Sequence, residues 1–200
     1  HDTHTSVIRY LIRAFKHCDR YVAPILHQRF FGFFPPKEYE TMLNNFPNDA
    51  FYQGLDHVDS RATGKETRFQ YWFDKDHHPI WDNVLSALAS DEIKKVLFQN
   101  FQITRVKESE VVPVFILAKD LKGYFIRPHT DIPSKVVTCQ FYLPTTSEPD
   151  WGTKLGEREK TLNEGKLNFF PNSGYAFPVT DKSWHSVDKI EREGERMSLM

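Results

Sequence analysis

The chain has 200 residues, which is enough for a single domain over 1–200 with a sizeable core. Its net charge of −1 and pI near 6.8 argue against a strongly basic nucleic-acid-binding protein, and no apolar run has the length of a membrane span. The 17 phenylalanines favour a core rich in β-structure. Cys18 and Cys139 have no context that favours a disulfide, so we expect a reducing, cytoplasmic location.

The first half, about 1–100, is predicted to be helical support with flanking strands. Apolar residues recur at helical spacing from Thr5, which could serve as the N-cap, to about Lys16. The later predicted elements of this half are a strand over 21–34, a helix from Pro36 to about Asn45, a loop over 48–64, a strand over 67–73, a helix over 80–88, and a helix that Ser90 caps and that ends near Gln99.

From about residue 101 the pattern changes to short β-like runs separated by turn residues. Eight such runs predict a double-sheet jelly roll: 102–107, 111–118, 124–127, 135–143, 166–170, 174–179, 184–190 and 195–200. The loop over 144–164, which contains Trp151-Gly152-Thr153, and the loop over 48–64 are candidate lids because functional loops run long. The last run stops at the final residue, so we expect His1 and Met200 to be limits of this sequence rather than ends of the protein.

Three residues form a candidate metal site. His129 and Asp131 share one face of an extended segment, and His185 lies in a second strand-like run. Two imidazoles and one carboxylate can occupy one face of an octahedral ion and leave the other positions open, as in non-haem Fe(II) oxygenases. A surface pair is the alternative, because nine histidines make a chance His-x-Asp common. The other histidines, including the adjacent His77 and His78, are expected at the surface or in packing.

Arg196 and Ser198 form a candidate anion clamp. Arg196 follows His185 at a spacing that puts it on the next strand, and a guanidinium can hold a carboxylate through two hydrogen bonds. Ser198 would share its face and could donate to the same anion. The alternative for Arg196 is an exposed strand arginine paired with Glu193 or Glu195.

The strand predicted over 135–143 alternates between a polar and an apolar face. Such a polar face could line a pocket or face solvent, and alternation leaves both open. The residues of the polar face are Val136, Thr138, Gln140 and Tyr142.

These segments resemble the Fe(II)/2-oxoglutarate-dependent oxygenase superfamily, in its prolyl-hydroxylase-like branch. The resemblance covers about residues 111–200 and implies a mainly β protein with N-terminal helices and a cupin-like jelly roll, the double-stranded β-helix. It is carried in order by Gly123-Tyr124, His129-Thr130-Asp131, residues 136–143, residues 165–171, Trp184-His185-Ser186-Val187 and Arg196-Met197-Ser198.

The resemblance also implies the site. Iron would be held by His129, Asp131 and His185, and 2-oxoglutarate would chelate that iron. The far carboxylate of 2-oxoglutarate would meet Arg196, with help from Tyr142 and Ser198 and with Thr138 nearby. The pocket would be lined by Gln140, Leu167 and Phe169, with Arg127 a further candidate. Arg127 and Lys119 could attract an acidic substrate, although Arg127 fits a solvated strand position equally well.

The reaction that follows from the resemblance is hydroxylation of an unactivated C–H bond with Fe(II), 2-oxoglutarate and O2, releasing succinate and CO2. Asp131 separates the chain from related halogenases, which lack the carboxylate ligand. The substrate would be a small molecule or a protein side chain. One departure is Glu164-Gly165, where the family often has Gly-Gly before the strand predicted over 166–170. The alternatives are a cupin-like isomerase or sugar-binding module, and a binding module without activity.

Overall fold

The computed structural model describes residues 3–54, 66–156, 162 and 165–200. Its helices are α1 Thr3–His17, α2 Pro36–Leu43, α3 Pro79–Leu88 and α4 Asp91–Phe101. Its strands are β1 Asp19–Tyr21, β2 His27–Phe31, β3 Gln53–Gly54, β4 Arg68–Tyr71, β5 Leu117–Asp120, β6 Ile126–His129, β7 Val137–Tyr142, β8 Lys154–Gly156, β9 Gly165–Lys166, β10 Ser173–Pro178, β11 Trp184–Val187 and β12 Arg196–Leu199. Among the described helices, none is long and apolar enough to cross a membrane.

The strands form two antiparallel sheets. The larger has the order β1-β2-β10-β7-β12-β5-β4-β3, and the smaller has the order β6-β11-β8-β9. Along the chain from β5 to β12 the strands cross between the two sheets, except that β8 and β9 follow each other in the smaller sheet, and β1 to β4 widen the larger sheet at both edges. The predicted mainly β fold with a double-stranded β-helix core and N-terminal helices is therefore confirmed.

Two apolar cores result from the alternation of side chains along the strands of the larger sheet. The helices pack on the outer face of this sheet, where the rings of Phe33 and Phe141 stack with centroids 4.3 Å apart. The next residue of the same strand, Tyr142, points between the sheets and meets the ring of Phe169 at 4.6 Å. The inner core shapes the space in which the polar residues of the sandwich lie.

Local signals explain where the helices begin. Ser90 caps α4, and its hydroxyl accepts a hydrogen bond from the Ile93 amide at 3.4 Å. Pro36 and Pro79 occupy first-turn positions of α2 and α3, where a missing amide hydrogen is harmless. The prediction of Thr5 as an N-cap is wrong, because α1 begins at Thr3 and Thr5 lies within it.

Two other expectations for the first half also change. The strand predicted over 21–34 is two strands, β1 and β2, which pair with each other in a hairpin whose connection contains Pro24, a residue without an amide donor. The loop predicted over 48–64 contains a 3-10 turn, Asp49–Phe51, and the short β3. The rest of that loop lies outside the described residues, so its prediction as a lid stays a prediction.

The second half contains one strand that was not predicted and lacks one that was. Residues 102–107 are not a strand, because Gln102 ends α4 in the left-handed conformation with φ 51°. The run over 111–118 becomes strand only from Leu117, and the run over 166–170 only as far as Lys166. Strand β8 was missed inside the long loop over 144–164. The cysteines are both free thiols, as expected.

His27, at the start of β2, is a buried histidine held in its neutral form. Its Nδ1–H donates to the Ile25 carbonyl at 2.7 Å, and its Nε2 accepts from Arg29 Nε at 3.0 Å. Burial lowers the pKa of His27 from 6.5 to about 4; the hydrogen bond to Ile25 opposes this shift, and the charge of Arg29 adds to it.

We therefore expect stability to fall as the pH drops from 6.5 to about 4, because only the unfolded chain protonates His27 in that window. The loss should reach at most about 3 kcal/mol in the free energy of unfolding, measured by urea denaturation across this pH range. His27→Gln should flatten the dependence, whereas His17→Gln, at an exposed position, should not. Equal slopes for wild type and His27→Gln would contradict the assignment.

Candidate metal centre and anion site

Strand pairing brings the candidate metal ligands together. His129 ends β6 and His185 lies in β11, and the two are direct partners in the antiparallel register, with ring centroids 4.2 Å apart. Asp131 follows β6 by two residues. Because β6 is an edge strand of the smaller sheet, Pro128 within it removes no ladder hydrogen bond that a neighbour needs.

The three side chains converge on one point. Nε2 of His185 lies 3.4 Å from Asp131 Oδ1, and Nε2 of His129 lies 3.8 Å from the same oxygen. One ligand atom from each residue can be chosen so that all lie within 4.8 Å of one another. Neighbouring ligands of an octahedral ion at about 2.1 Å are roughly 3 Å apart, so a small closing movement would complete the coordination.

Backbone carbonyls orient both imidazoles. Nδ1 of His129 lies 2.7 Å from the Arg127 carbonyl, and Nδ1 of His185 lies 3.1 Å from the Ser183 carbonyl. A carbonyl only accepts, so each Nδ1 carries a hydrogen, and each ring directs its Nε2 toward Asp131. Two imidazole Nε2 atoms and a carboxylate oxygen directed at one point are a donor set that suits a divalent transition-metal ion.

Asp131 is ionised and fixed in place. The Thr138 hydroxyl donates to its Oδ2 at 2.6 Å, and Lys135 Nζ lies 3.8 Å from its Oδ1. Burial alone would raise the pKa of Asp131, but the hydrogen bond and charge of His185, the Thr138 hydroxyl and Lys135 together hold that pKa well below its usual range. The carboxylate is therefore available as a metal ligand at neutral pH.

Arg196 is fully buried between the sheets, and three of its five N–H donors have partners. Nε donates to the Trp151 carbonyl at 2.7 Å, Nη1 to Asp120 Oδ2 at 2.9 Å, and Nη2 to Thr153 Oγ1 at 3.2 Å. Within the described part of the chain, one hydrogen on Nη1 and one on Nη2 remain for an acceptor. The predicted alternative, an exposed arginine paired with Glu193 or Glu195, is wrong.

A hydrogen-bonded network surrounds the guanidinium. Thr153 is its centre: its Oγ1 accepts from Tyr142 at 3.0 Å and donates to Gln140 Oε1 at 3.1 Å, while its amide donates to the Tyr142 hydroxyl at 2.9 Å. The Tyr175 hydroxyl donates to the same Gln140 oxygen at 2.5 Å. Burial raises the pKa of both tyrosines, so both phenols stay neutral donors.

Ser198 adds a third donor to the interior. Its hydroxyl oxygen accepts from Gln140 Nε2 at 2.9 Å, and its own hydrogen has no recorded partner among the described residues. Together with the two hydrogens on Arg196, it gives the interior three donors and no matching acceptor in the described part of the chain. Buried donors almost always find acceptors, so this arrangement fits an anion such as a carboxylate.

A second arginine shares the acidic partner of Arg196. Arg68 donates to both oxygens of Asp120, from Nε at 2.6 Å and from Nη2 at 2.9 Å, while Arg196 holds one of those oxygens. The three residues form one row across β4, β5 and β12, because Asp120 is the direct register partner of both arginines. The Arg68 guanidinium also lies over the Tyr124 ring, with its centre 4.4 Å from the centroid.

The polar face of β7 links these two groups. Thr138 lies at Asp131, Gln140 lies in the middle of the network, and Tyr142 lies beside Arg196, so alternate residues of one strand line the interior. The solvent-facing alternative for this face is therefore wrong. The role of Thr138 in holding 2-oxoglutarate stays a prediction, although its observed contact is with Asp131.

Other predicted site residues lie in different surroundings. Phe169 is buried, with its ring centroid 5.3 Å from the centre of the Arg196 guanidinium, and Leu167 packs in the same inner core. Arg127 is exposed on β6. Lys119 is buried and contacts Asp49 and the Tyr52 ring, so an attraction of substrate to Lys119 is not supported.

The sequence analysis missed residues that complete the anion site: Thr153, the Trp151 carbonyl, Asp120, Arg68 and Tyr175. The signal for Thr153 was available, since Trp151-Gly152-Thr153 stands out in the long loop. These residues lead into β8, where Leu155 pairs with His185. The glycine that precedes the strand beside His185 is therefore Gly152. Gly165 begins β9, which pairs with β8 and not with β11.

Comparison with known proteins bears on the fold. No family model and no curated protein matches the sequence. Among solved structures, a Pseudomonas putida prolyl-4-hydroxylase is 16% identical with a TM-score of 0.61, and the match covers 96% of each chain. A viral collagen prolyl hydroxylase from Paramecium bursaria Chlorella virus-1, in complex with 2-oxoglutarate, is 16% identical with a TM-score of 0.54, covering 86% of this chain and 92% of that one.

A third similar structure is HygX from Streptomyces hygroscopicus with nickel, 2-oxoglutarate and hygromycin B bound. It is 12% identical with a TM-score of 0.52, and the match covers 86% of this chain and 80% of HygX. At these identities the comparisons show the fold. It is the fold of the 2-oxoglutarate- and iron-dependent oxygenases in their prolyl-hydroxylase-like branch.

Thr138→Val should weaken metal binding by about tenfold or more, because the variant loses the hydrogen bond that fixes the Asp131 carboxylate. Titration of the metal-free protein with Fe(II) or Co(II) measures the change. Thr41→Val is the matched control, since Thr41 donates only to a helix carbonyl on the surface. Equal affinities for Thr138→Val and wild type would contradict the role of Thr138.

Gly152→Ala should destabilise the protein by more than about 2 kcal/mol, since overpacking of this severity forces the backbone to shift. The added Cβ would lie 1.7 Å from the Leu167 carbonyl oxygen, whereas φ of Gly152 is an ordinary −72°. Urea unfolding tests this. Gly32→Ala is the control: nothing lies within 4 Å of its Cβ, and only its φ of +63° should cost about 1 kcal/mol.

Proposed function

We propose that this protein is an Fe(II)- and 2-oxoglutarate-dependent dioxygenase that hydroxylates an unactivated C–H bond of a small molecule or a protein side chain. The observation that carries the proposal is the combination of two sites in one interior. Three converging ligands, His129, Asp131 and His185, lie at one end of the β7 polar face, and the buried Arg196 with its spare donors lies near the other.

In this proposal the three ligands occupy one face of the ion. His129 and His185 present neutral Nε2 atoms because the Arg127 and Ser183 carbonyls hold their Nδ1 hydrogens, and Asp131 supplies the negative charge. The remaining positions stay available to a co-substrate and to O2. Iron together with 2-oxoglutarate supplies the oxidising chemistry and yields succinate and CO2, while the protein orients the reactants and controls charge.

Arg196 would receive the far carboxylate of 2-oxoglutarate. One hydrogen on Nη1 and one on Nη2 have no acceptor among the described residues and could each donate to an oxygen of a carboxylate, and Ser198 can donate alongside them. Tyr142 lies beside the guanidinium and keeps Thr153 in place. The surrounding core, which includes Phe169, excludes water and so strengthens each of these contacts.

The similar structures support the same assignment. The viral hydroxylase and HygX are described with 2-oxoglutarate bound, and HygX also with nickel and an antibiotic. The presence of Asp131 as a carboxylate ligand favours hydroxylation or another oxidation over halogenation. A cupin-like isomerase or sugar-binding module would use the three ligands but would have no need for a buried Arg196 with unpaired donors.

The test is an anaerobic titration of the metal-free protein with Fe(II) and then 2-oxoglutarate, followed through the visible charge-transfer band of the chelate. We expect a band in the wild type, none in His129→Ala, and a band in Arg196→Ala only at much higher 2-oxoglutarate concentration. Candidate substrates can then be screened by succinate release.

Arg192→Ala is the matched control for Arg196→Ala. It removes an arginine from the segment before β12, where its partners are Glu148 and Asp150 on the surface. Iron binding without any chelate band in the wild type would overturn the dioxygenase assignment and favour the other jelly-roll metal proteins.

A further inference from the structure

The charge balance around Arg196 depends on Arg68, which has no recorded hydrogen bond to Arg196 but shares its partner Asp120. Arg196 and Asp120 are both fully buried and form an ion pair at 2.9 Å. Taken alone, that pair is neutral and would offer little attraction to a second carboxylate. Arg68 changes this balance, because its own charge is also paired with Asp120.

Two cations and one anion leave a net charge of +1 in the row Arg68–Asp120–Arg196. Among the described residues, no other carboxylate contacts these three side chains. The other partners of Arg196 are the Trp151 carbonyl and the Thr153 hydroxyl, and Arg68 stacks on Tyr124. An uncompensated buried charge is costly in a medium of low dielectric constant, so the row requires one more anion.

Arg68 also restricts where Asp120 can turn. It holds both carboxylate oxygens of Asp120 at 2.6 and 2.9 Å, which leaves Arg196 a single hydrogen bond to Oδ2. Without Arg68, Asp120 could rotate to engage Arg196 through both oxygens, and the bidentate pair would use N–H groups that are otherwise left for a ligand. Arg68 thus preserves both the charge and the free donors of Arg196.

We propose that Arg68 is a positioning residue that, through Asp120, makes the site selective for 2-oxo acids that carry a second carboxylate. The inference rests on the proposed function, because it assumes that a 2-oxo acid chelates the metal at His129, Asp131 and His185. In this inference two residues determine the selectivity of the anion site: Arg196 on β12, and Arg68 on β4 in the first half of the chain.

The experiment compares two probes in the anaerobic chelate titration: 2-oxoglutarate and 2-oxopentanoate, which has the same carbon chain without the far carboxylate. We expect Arg68→Met to weaken the binding of 2-oxoglutarate by about tenfold or more, the factor that corresponds to 1.4 kcal/mol. The binding of 2-oxopentanoate should stay within about twofold of wild type, which also shows that the variant is folded and holds iron.

A charge-rescue variant separates this role from a structural one. Arg68→Met with Asp120→Asn removes one cation and one anion, so Arg196 again carries the net charge of +1, and most of the 2-oxoglutarate affinity should return. Arg68→Lys, which keeps the charge, should lose less affinity than Arg68→Met. Arg29→Met is the control, since Arg29 also stacks on a tyrosine of the larger sheet, Tyr21, but contacts His27 rather than Asp120.

The outcomes are distinct. Equal loss for both probes in Arg68→Met, or no recovery in the double variant, would show a structural role and overturn the inference. Unchanged 2-oxoglutarate binding in Arg68→Met, with a normal wild-type chelate, would overturn the inference while leaving the proposed function intact. A wild type that binds iron but forms no chelate with either probe would overturn the proposed function and, with it, this inference.

Discussion

The register between β6 and β11 is the constraint on which the metal centre depends. His129 and His185 are far apart in the chain and meet because they are direct partners in this antiparallel pair. On its other side β11 is fixed by β8, with Leu155 opposite His185. Since side chains alternate along a strand, a slip of one residue would turn His185 away from Asp131. The site is therefore a property of the smaller sheet and not of any single segment.

Once the register is set, short-range contacts finish the orientation. In both candidate metal ligands, His129 and His185, Nδ1 contacts the carbonyl two residues earlier, from Arg127 and from Ser183. The same device orients His27, whose Nδ1 donates to the Ile25 carbonyl, but there Nε2 accepts a hydrogen bond from Arg29. What distinguishes His129 and His185 is that their Nε2 atoms face the Asp131 carboxylate, so that three possible metal ligands meet at one point.

The interior of the sandwich carries many polar groups, and most of their hydrogen-bonding capacity is used. The Thr153 hydroxyl accepts from Tyr142 and Arg196 and donates to Gln140, which is the full capacity of a hydroxyl group. A network satisfied to this degree is rigid, because moving one member leaves another unpaired in a medium of low dielectric constant. The donors left over on Arg196 and Ser198 therefore stand out as the places where a ligand, rather than the protein, supplies the acceptor.

The sequence predicted the parts of this arrangement that depend on spacing within one strand or on adjacent strands. The ligand residues, Arg196 and the polar face of β7 were all accessible from alternation and order. The hairpin of β1 and β2 was not, because the apolar and aromatic residues over 21–34 favoured a single strand although Pro24 lies within this segment. Strand β8 was missed because only three residues form it, after a polar segment, and its stability comes from pairing with β11. Thr153 and Arg68 reach Arg196 only through tertiary contacts, which no local pattern records.

The change of pattern near residue 101 consequently divides the sequence but does not divide the site. Strand β4 extends the larger sheet beyond β5, and this extension places Arg68 opposite Asp120, which in turn lies opposite Arg196. A jelly roll that ended at β5 would leave Asp120 with one cationic partner, and the pair of Asp120 and Arg196 would carry no net charge. The strands that precede the jelly roll therefore do more than cover an exposed edge: they set the sign of the charge that faces the interior.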